Sequence, residues 1–203
     1  MSNASTPTLY CATSNLDKVR EFRHALAAFY SVQQVRRFQE VAAPEETGAT
    51  FEDNAALKAI YYSKFTDELV FADDSGLEVD ALGGEPGVRS ARYSGEHGSN
   101  EENNRLVLER MRGVTDRSAR FVCVIALARK GELIQTFRGT VEGELLEEPR
   151  GDEGFGYDPL FYYPPFRCSF GEATLDQKST VSHRGRALEA IRAYLERASD
   201  SSR

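Results

Sequence analysis

The chain has no tryptophan, three cysteines and three histidines among its 203 residues, and no long apolar run. Each shortage excludes something. Cys11, Cys123 and Cys168 are odd in number and form no close pair, so a disulfide scaffold is excluded and reduced thiols of a cytoplasmic protein are expected. His24, His97 and His183 are scattered without the spacing of a zinc site. No stretch approaches the roughly 20 apolar residues of a membrane-spanning helix, so no membrane partner is expected. The opening "MSNASTPT" is polar and lacks the apolar centre of a signal peptide. Lys and Arg are nowhere gathered into a block, and the formal net charge is -7, which argues against a nucleic-acid partner. A small anion remains possible, because a few local cations and a metal can hold a phosphate.

What is present is ordinary for a soluble globular protein, with 40% hydrophobic and 28% charged residues, enough for one domain or two small lobes sharing a core. "TLYCA" (8–12) predicts a short buried strand. Val19, Phe22, Leu26 and Phe29 then recur at spacings of three and four, one stripe of a helix. Thr50 with Asp53 opens a second helix over 51–65, on which Asn54, Lys58 and Tyr61 share a face. "ELVFA" (68–72) predicts a strand ending at Asp73-Asp74-Ser75-Gly76, and "LEVDAL" a half-buried strand or extended edge. Ser99 and Glu102 cap a third helix carrying Leu106, Leu108 and Met111. "RFVCVIALA" predicts a central strand that Lys130-Gly131 turns back into "ELIQTFRGTV". "LFYYP" predicts an aromatic strand, and a last helix over 183–197 buries Leu188, Ile191 and Leu195. Helices mixed with a hairpin and further strands predict an α/β domain with a mixed sheet.

Five polar segments, of which "PEETG" and "FADDSG" are weighed together, fall at strand or helix ends, where ligand sites usually form. In "TSNLDK", Thr13, Ser14, Asn15 and Lys18 beside a helix N-terminus would suit a phosphate, although alone they read as an ordinary N-cap with a solvated lysine. "PEETG" alone is a solvated acidic turn. "FADDSG" is balanced between an Asx-turn and a carboxylate pair for Mg²⁺ or for taking a proton from water, since one Asp would suffice for a turn. The two glycines of "GFGYDP" allow close backbone approach, and Phe155 or Tyr157 could stack on a base or fold back on the core. "KSTVSHRGR" gathers Lys178, His183, Arg184 and Arg186 at a helix start, against the helix dipole, which fits an anion as well as a solvated basic patch.

Together the stretches "ATSNLDKVREF", "PEETGATFEDNAALKA", "FADDSGLEVDALGGEPGVRSARYSG", "GFGYDPLF" and "KSTVSHRGRAL" resemble, in order and over residues 9–190, the inosine triphosphate pyrophosphatase (Ham1-like) family in its bacterial form. The resemblance implies Mg²⁺-dependent hydrolysis of ITP, dITP and XTP to the monophosphate and pyrophosphate. It implies an elongated mixed twisted sheet flanked by helices, with two lobes around a central substrate cleft, usually in a homodimer. On that basis residues 8–198 form a single two-lobed domain between tails at 1–7 and 199–203. Carried over by position, Asp74 is the catalytic base, and Asp74 and Glu45 hold the metal. Thr13, Ser14, Asn15, Leu16, Asp17 and Lys18 hold phosphates, with Lys58 nearby. Ser75, Phe155, Gly156, Tyr157, Asp158, Lys178, His183 and Arg184 meet the rest of the substrate. The chain departs from the family pattern at "TSN", where "TGN" is common, and at Asp53, where Glu is common. The rival readings are an enzyme that releases orthophosphate or acts on canonical or modified pyrimidine nucleotides, a nucleotide-binding sensor, and a soluble structural module.

Overall fold

The computed structural model describes residues 6–36 and 38–200. Most of the expected N-terminal tail, and the last three residues of the expected C-terminal one, lie outside them. A seven-stranded mixed sheet organises the chain in the order β2-β1-β3-β4-β5-β6-β7. Strand β1 (Thr8–Cys11) lies parallel to both β2 (Ser31–Gln34) and β3 (Val70–Val79), whereas β6 (Phe161–Tyr163) runs antiparallel to β5 (Glu132–Leu145) and to β7 (Cys168–Ser169). Strand β4 (Ser118–Arg129) occupies the middle of the order, as its unbroken apolar run requires, and Phe121 through Ala128 are all buried. Lys130 and Gly131 join it to β5 with φ values of 52° and 83°, the double positive φ of a tight hairpin turn.

The chain divides into two compact units, the first made of residues 1–74, 124–138 and 186–203, the second of 75–123 and 139–185. In the first, helix α1 (Leu16–Leu26) starts at Asn15, whose side chain accepts from the Lys18 N–H. Its buried stripe is Val19, Phe22 and Leu26, and Phe22 packs edge-on against Phe71 at 5.0 Å. Each such fully buried ring contributes roughly 1.5–3 kcal/mol. Phe29, expected on this stripe, falls past the helix end and stays 43% exposed. Helix α2 (Phe51–Ser63) is capped by Thr50, and the Asp53 carboxylate accepts from the Thr50 hydroxyl, a short-armed variant of the capping box. In the second unit Leu77, Val107, Phe121, Phe161 and Phe170 form the core with their neighbours. Helix α3 (Asn100–Arg110) carries the full capping box of Ser99 and Glu102, and α4 (Leu175–Val181) precedes α5 (His183–Asp200).

Two local expectations are corrected. Strand β3 does not end before the acidic pair; it continues to Val79, so Asp73 and Asp74 are mid-strand residues and not an Asx-turn. The stretch "LEVDAL" is the second half of that same strand as far as Val79, followed by a single 3-10 turn at Asp80–Leu82. The reason is that both carboxylates find cations and an amide, described next, so the backbone keeps its ladder where solvated acids would have broken it.

Candidate functional site

Successive side chains of a strand point to opposite faces, and in the first unit the two carboxylates of β3 are met by different helices. Lys18, from the first turn of α1, lies 2.9 Å from Asp73 Oδ2. Lys58, from the third turn of α2, lies 3.2 Å from Asp74 Oδ1 and equally close to Glu46 Oε1. Asn54, one turn earlier on α2, donates from Nδ2 to Asp74 Oδ2 at 3.3 Å, and its own Oδ1 accepts the Gly48 N–H at 2.8 Å. Asp73 and Asp74 are both buried. Burial is the largest influence on the Asp74 carboxyl and raises its pKa above the ordinary carboxylate value, with Lys58 and Lys18 pulling the other way and Glu46 and Asp73 adding to the rise. Burial acts most strongly on Lys58 too and lowers its pKa, but Asp74, Asp73 and Glu46 together outweigh it and leave that pKa raised. Both partners of the pair therefore keep a bound proton more firmly than they would in water.

Beside this group the segment from Thr13 to Asp17 is accessible: Ser14, Asn15, Leu16 and Asp17 are exposed and Thr13 is half-buried. The Thr13 hydroxyl accepts the Asn15 N–H, and Gln34 holds the Thr13 carbonyl at 2.8 Å, which fixes the loop at the helix N-terminus. Glu45 is exposed; Glu46 is the acid brought to Lys58 and Asp74. The residues that sequence reasoning missed here are Glu46 and Asn54. Asn54 shares a helical face with Lys58, which was the available signal, and nothing in "EE" distinguishes which acid turns inward.

The donors in this group are hard carboxylate oxygens, the kind Mg²⁺ takes. Among the described residues no cluster of three or more His, Cys, Asp or Glu side chains could hold a metal. Mg²⁺ is usually held through one or two carboxylates together with substrate phosphates and water.

In the second unit the loop 151–158 reaches Phe155 with Gly154 and Gly156 at φ 73° and 64°. A Cβ on Gly154 would lie 2.1 Å from Asp158 Oδ2, so glycine is required there twice over. That same Oδ2 accepts the Phe155 N–H at 2.8 Å and the Lys178 ammonium at 2.5 Å. Lys178 and Asp158 are a buried pair, with side chains 4% and 2% exposed. Lys178 and Arg184 also approach the Phe155 ring, at 5.1 and 5.5 Å from its centroid. Arg184 donates to the Ser75 hydroxyl at 2.9 Å. Tyr157 is buried and donates to the Ser90 carbonyl; its phenol pKa is raised by burial and then by Tyr93. His183 is buried and stacked on Phe121 at 4.7 Å. The structure thus brings Phe155, Asp158, Lys178 and Arg184 together, ties Ser75 to Arg184, and turns the Tyr157 hydroxyl to the backbone of Ser90. The cluster expected at one helix start is divided between two helices, since Lys178 belongs to α4 and His183, Arg184 and Arg186 to α5.

Comparison with known proteins supplies the remaining finding. A model of the Ham1 family matches residues 9–194. The dITP/XTP pyrophosphatase of Deinococcus radiodurans is 52% identical over 180 residues, covering 89% of this chain and 88% of its own. That of Exiguobacterium sp. is 46% identical over 188 residues, covering 92% and 96%. Among solved structures, a HAM1 protein from Coxiella burnetii superposes with a TM-score of 0.85 at 38% identity, covering 94% of this chain and 99% of its own. The Staphylococcus aureus Ham1 protein gives 0.83 at 41% identity, covering 93% and 98%.

Proposed function

The chain belongs to the Ham1 family, and from that premise we propose that it hydrolyses the noncanonical purine nucleoside triphosphates ITP, dITP and XTP to the monophosphate and pyrophosphate. It is a nucleoside-triphosphate pyrophosphatase, and its role is to clear these nucleotides from the pool. The observation that carries the chemistry is the buried Asp73-Asp74 pair, each acid matched by its own lysine.

Asp74 is the general base. Its carboxylate takes a proton from water as the water oxygen bonds to the α-phosphorus, and the bond from that phosphorus to the oxygen bridging to the β-phosphorus breaks, releasing pyrophosphate. Burial and neighbouring acids raise the affinity of Asp74 for that proton, while Lys58 and Lys18 oppose the rise. Asn54 fixes the carboxylate plane by engaging Oδ2. Lys18 and Lys58 supply positive potential for the phosphates, aided by the free N–H groups at the start of α1 and by the Thr13–Asp17 segment. Asp74 and Glu45, with Glu46 beside them, would hold Mg²⁺, which would supply further neutralisation of the triphosphate charge. The purine is assigned to the second unit, where the Phe155 ring offers a stacking face and Lys178, His183 and Arg184 offer donors. A 6-keto oxygen accepts from such donors, whereas the 6-amino group of adenine does not. The enzyme is proposed to be a cytoplasmic homodimer.

The test is a panel of purine and pyrimidine triphosphates with Mg²⁺, scored for pyrophosphate and orthophosphate separately. Pyrophosphate released from dITP and XTP well ahead of dATP is the expected result. Orthophosphate with a diphosphate product, or no preference for the 6-keto purines, overturns the reading.

A further inference from the structure

The stretch "GEPGVRSARYSG" (84–95) and helix α3 have no part in the chemistry above, yet they are built around the loop assigned to the purine. Two consecutive asparagines of α3 do the tying. Asn103 is buried; its Oδ1 accepts from both the Ser94 N–H and the Ser94 hydroxyl, and its Nδ2 donates to the Ala91 carbonyl. Asn104 donates from Nδ2 to the Gly156 carbonyl at 3.0 Å, across 52 positions of sequence. Tyr157 closes the circuit by donating to the Ser90 carbonyl at 2.8 Å.

We propose that Asn104 is a specificity-determining positioning residue: by holding the Gly156 carbonyl it sets the peptide plane on which the Phe155–Asp158 purine loop presents its backbone. The inference rests on the proposed activity. Gly156 has φ 64°, a conformation in which glycine is free to rotate away, so its peptide plane needs an external hold. The peptide unit is planar and trans, so directing the Gly156 carbonyl at α3 directs the Tyr157 N–H the opposite way. Asn104 is a costly choice if its purpose is only to build α3. Asparagine is a poor helix former beside alanine. Its Oδ1 is buried and, among the described residues, accepts no hydrogen bond. A buried acceptor of this kind destabilises. Gly156 is half-buried and its bond to Asn104 only partly so, which leaves water a route to the carbonyl if the amide were absent. Local stability therefore argues against asparagine here, and the hold on the loop argues for it.

The experiment compares the wild type with Asn104→Ala, Asn104→Gln and, as a surface control on the same helix, Arg105→Ala. Steady-state constants are measured for dITP and dATP, thermal unfolding by calorimetry, and amide hydrogen exchange over residues 154–158 without nucleotide. Asn104→Ala is expected to leave the melting temperature unchanged or raised and to speed exchange across 154–158. It should raise KM for dITP about three- to tenfold, the worth of one hydrogen bond, with kcat within about twofold and the dITP-to-dATP preference reduced. Asn104→Gln, which keeps the amide donor, should recover part of the preference, and Arg105→Ala should match the wild type. A lower melting temperature with an unmoved preference would assign Asn104 to helix structure alone and overturn the proposal. Unchanged loop exchange would overturn it as well. A wild type that releases no pyrophosphate from any purine triphosphate overturns the activity and this role together, whereas an active wild type with an unmoved ratio in Asn104→Ala removes this role alone.

Discussion

Replacing Asp158 with Asn keeps the shape of the side chain and removes its charge, and the structure states what is lost. The Lys178 ammonium, 2.5 Å from Asp158 Oδ2 and almost fully buried, loses its carboxylate. The Phe155 and Phe170 rings, at 5.1 and 5.8 Å, attract the cation, a contact worth about 2 kcal/mol or more when desolvated, but they carry no charge to replace the carboxylate. Removing one partner of a buried ion pair costs about 3–5 kcal/mol. The Phe155 N–H keeps an acceptor, because the Asn carbonyl can stand where Oδ2 stood. For a chain of this size each kcal/mol lowers the midpoint by about 2–4 °C, so Asp158→Asn should fall by roughly 6–20 °C. Calorimetry at neutral pH measures this, and a urea series with an unchanged slope shows that the loss is in stability and not in compactness. The double variant Asp158→Asn with Lys178→Met should be more stable than Asp158→Asn alone, since it removes the buried cation whose carboxylate is gone. A drop of less than about 2 °C, or a double variant no better than the single, would refute the reasoning.

Asp74→Asn should keep the fold, because Lys58 retains Glu46 and Asn54 retains an oxygen to meet, while pyrophosphate release falls by about 10²–10⁴-fold; near-normal turnover removes Asp74 from its assigned role. Gly76→Ala places a Cβ 2.3 Å from Ser90 Oγ and 2.5 Å from the Gly87 carbonyl, so it should destabilise by about 1–3 kcal/mol in a urea melt, and an unshifted midpoint would count against this packing. Native thiol titration with a disulfide reagent should modify Cys168 first and leave Cys11 and Cys123 unmodified until denaturant is added, since both are buried and burial pushes the Cys11 pKa up to about 12; rapid modification of all three would contradict the core.

The legible parts of the sequence were those where the local pattern and the tertiary outcome agree. The apolar run of β4 predicts a central strand because a strand buried on both faces needs no alternation. Thr50, Asn15 and Ser99 mark helix starts because capping depends on residues three apart. Strands β2 and β7 were not foreseen: "SVQQ" is polar and "CS" is two residues long, and both are strands only because a neighbour offers a ladder. The length of β3 was missed for the opposite reason, since two adjacent acids predict a turn until the lysines of α1 and α2 are known to reach them. Within the candidate site, the residues with a charge or a glycine signature were visible one motif at a time. Glu46, Asn104 and Ser90 were not, because their roles depend on contacts 12, 52 and 67 positions away.

Placing the two acids on a strand and not on a loop has a mechanistic consequence. Neighbouring carboxylates on one flexible turn could share a single cation and exchange partners, and neither would hold a defined orientation. On β3 the alternation of the pleat sends Asp73 toward α1 and Asp74 toward α2, so each acid has its own lysine and their mutual repulsion is a minor influence on Asp74 beside burial. Asp73 thereby anchors Lys18 at the start of α1, next to the accessible Thr13–Asp17 segment. Asp74 keeps one oxygen on Asn54 and the other on Lys58, a cation it shares with Glu46. On the proposed mechanism a triphosphate would compete with those acids for the lysines, and drawing Lys58 toward phosphate would weaken one of the influences that oppose burial at Asp74. On that mechanism the loss would make Asp74 a stronger base as the proton is taken, while the ladder of β3 holds its backbone in place.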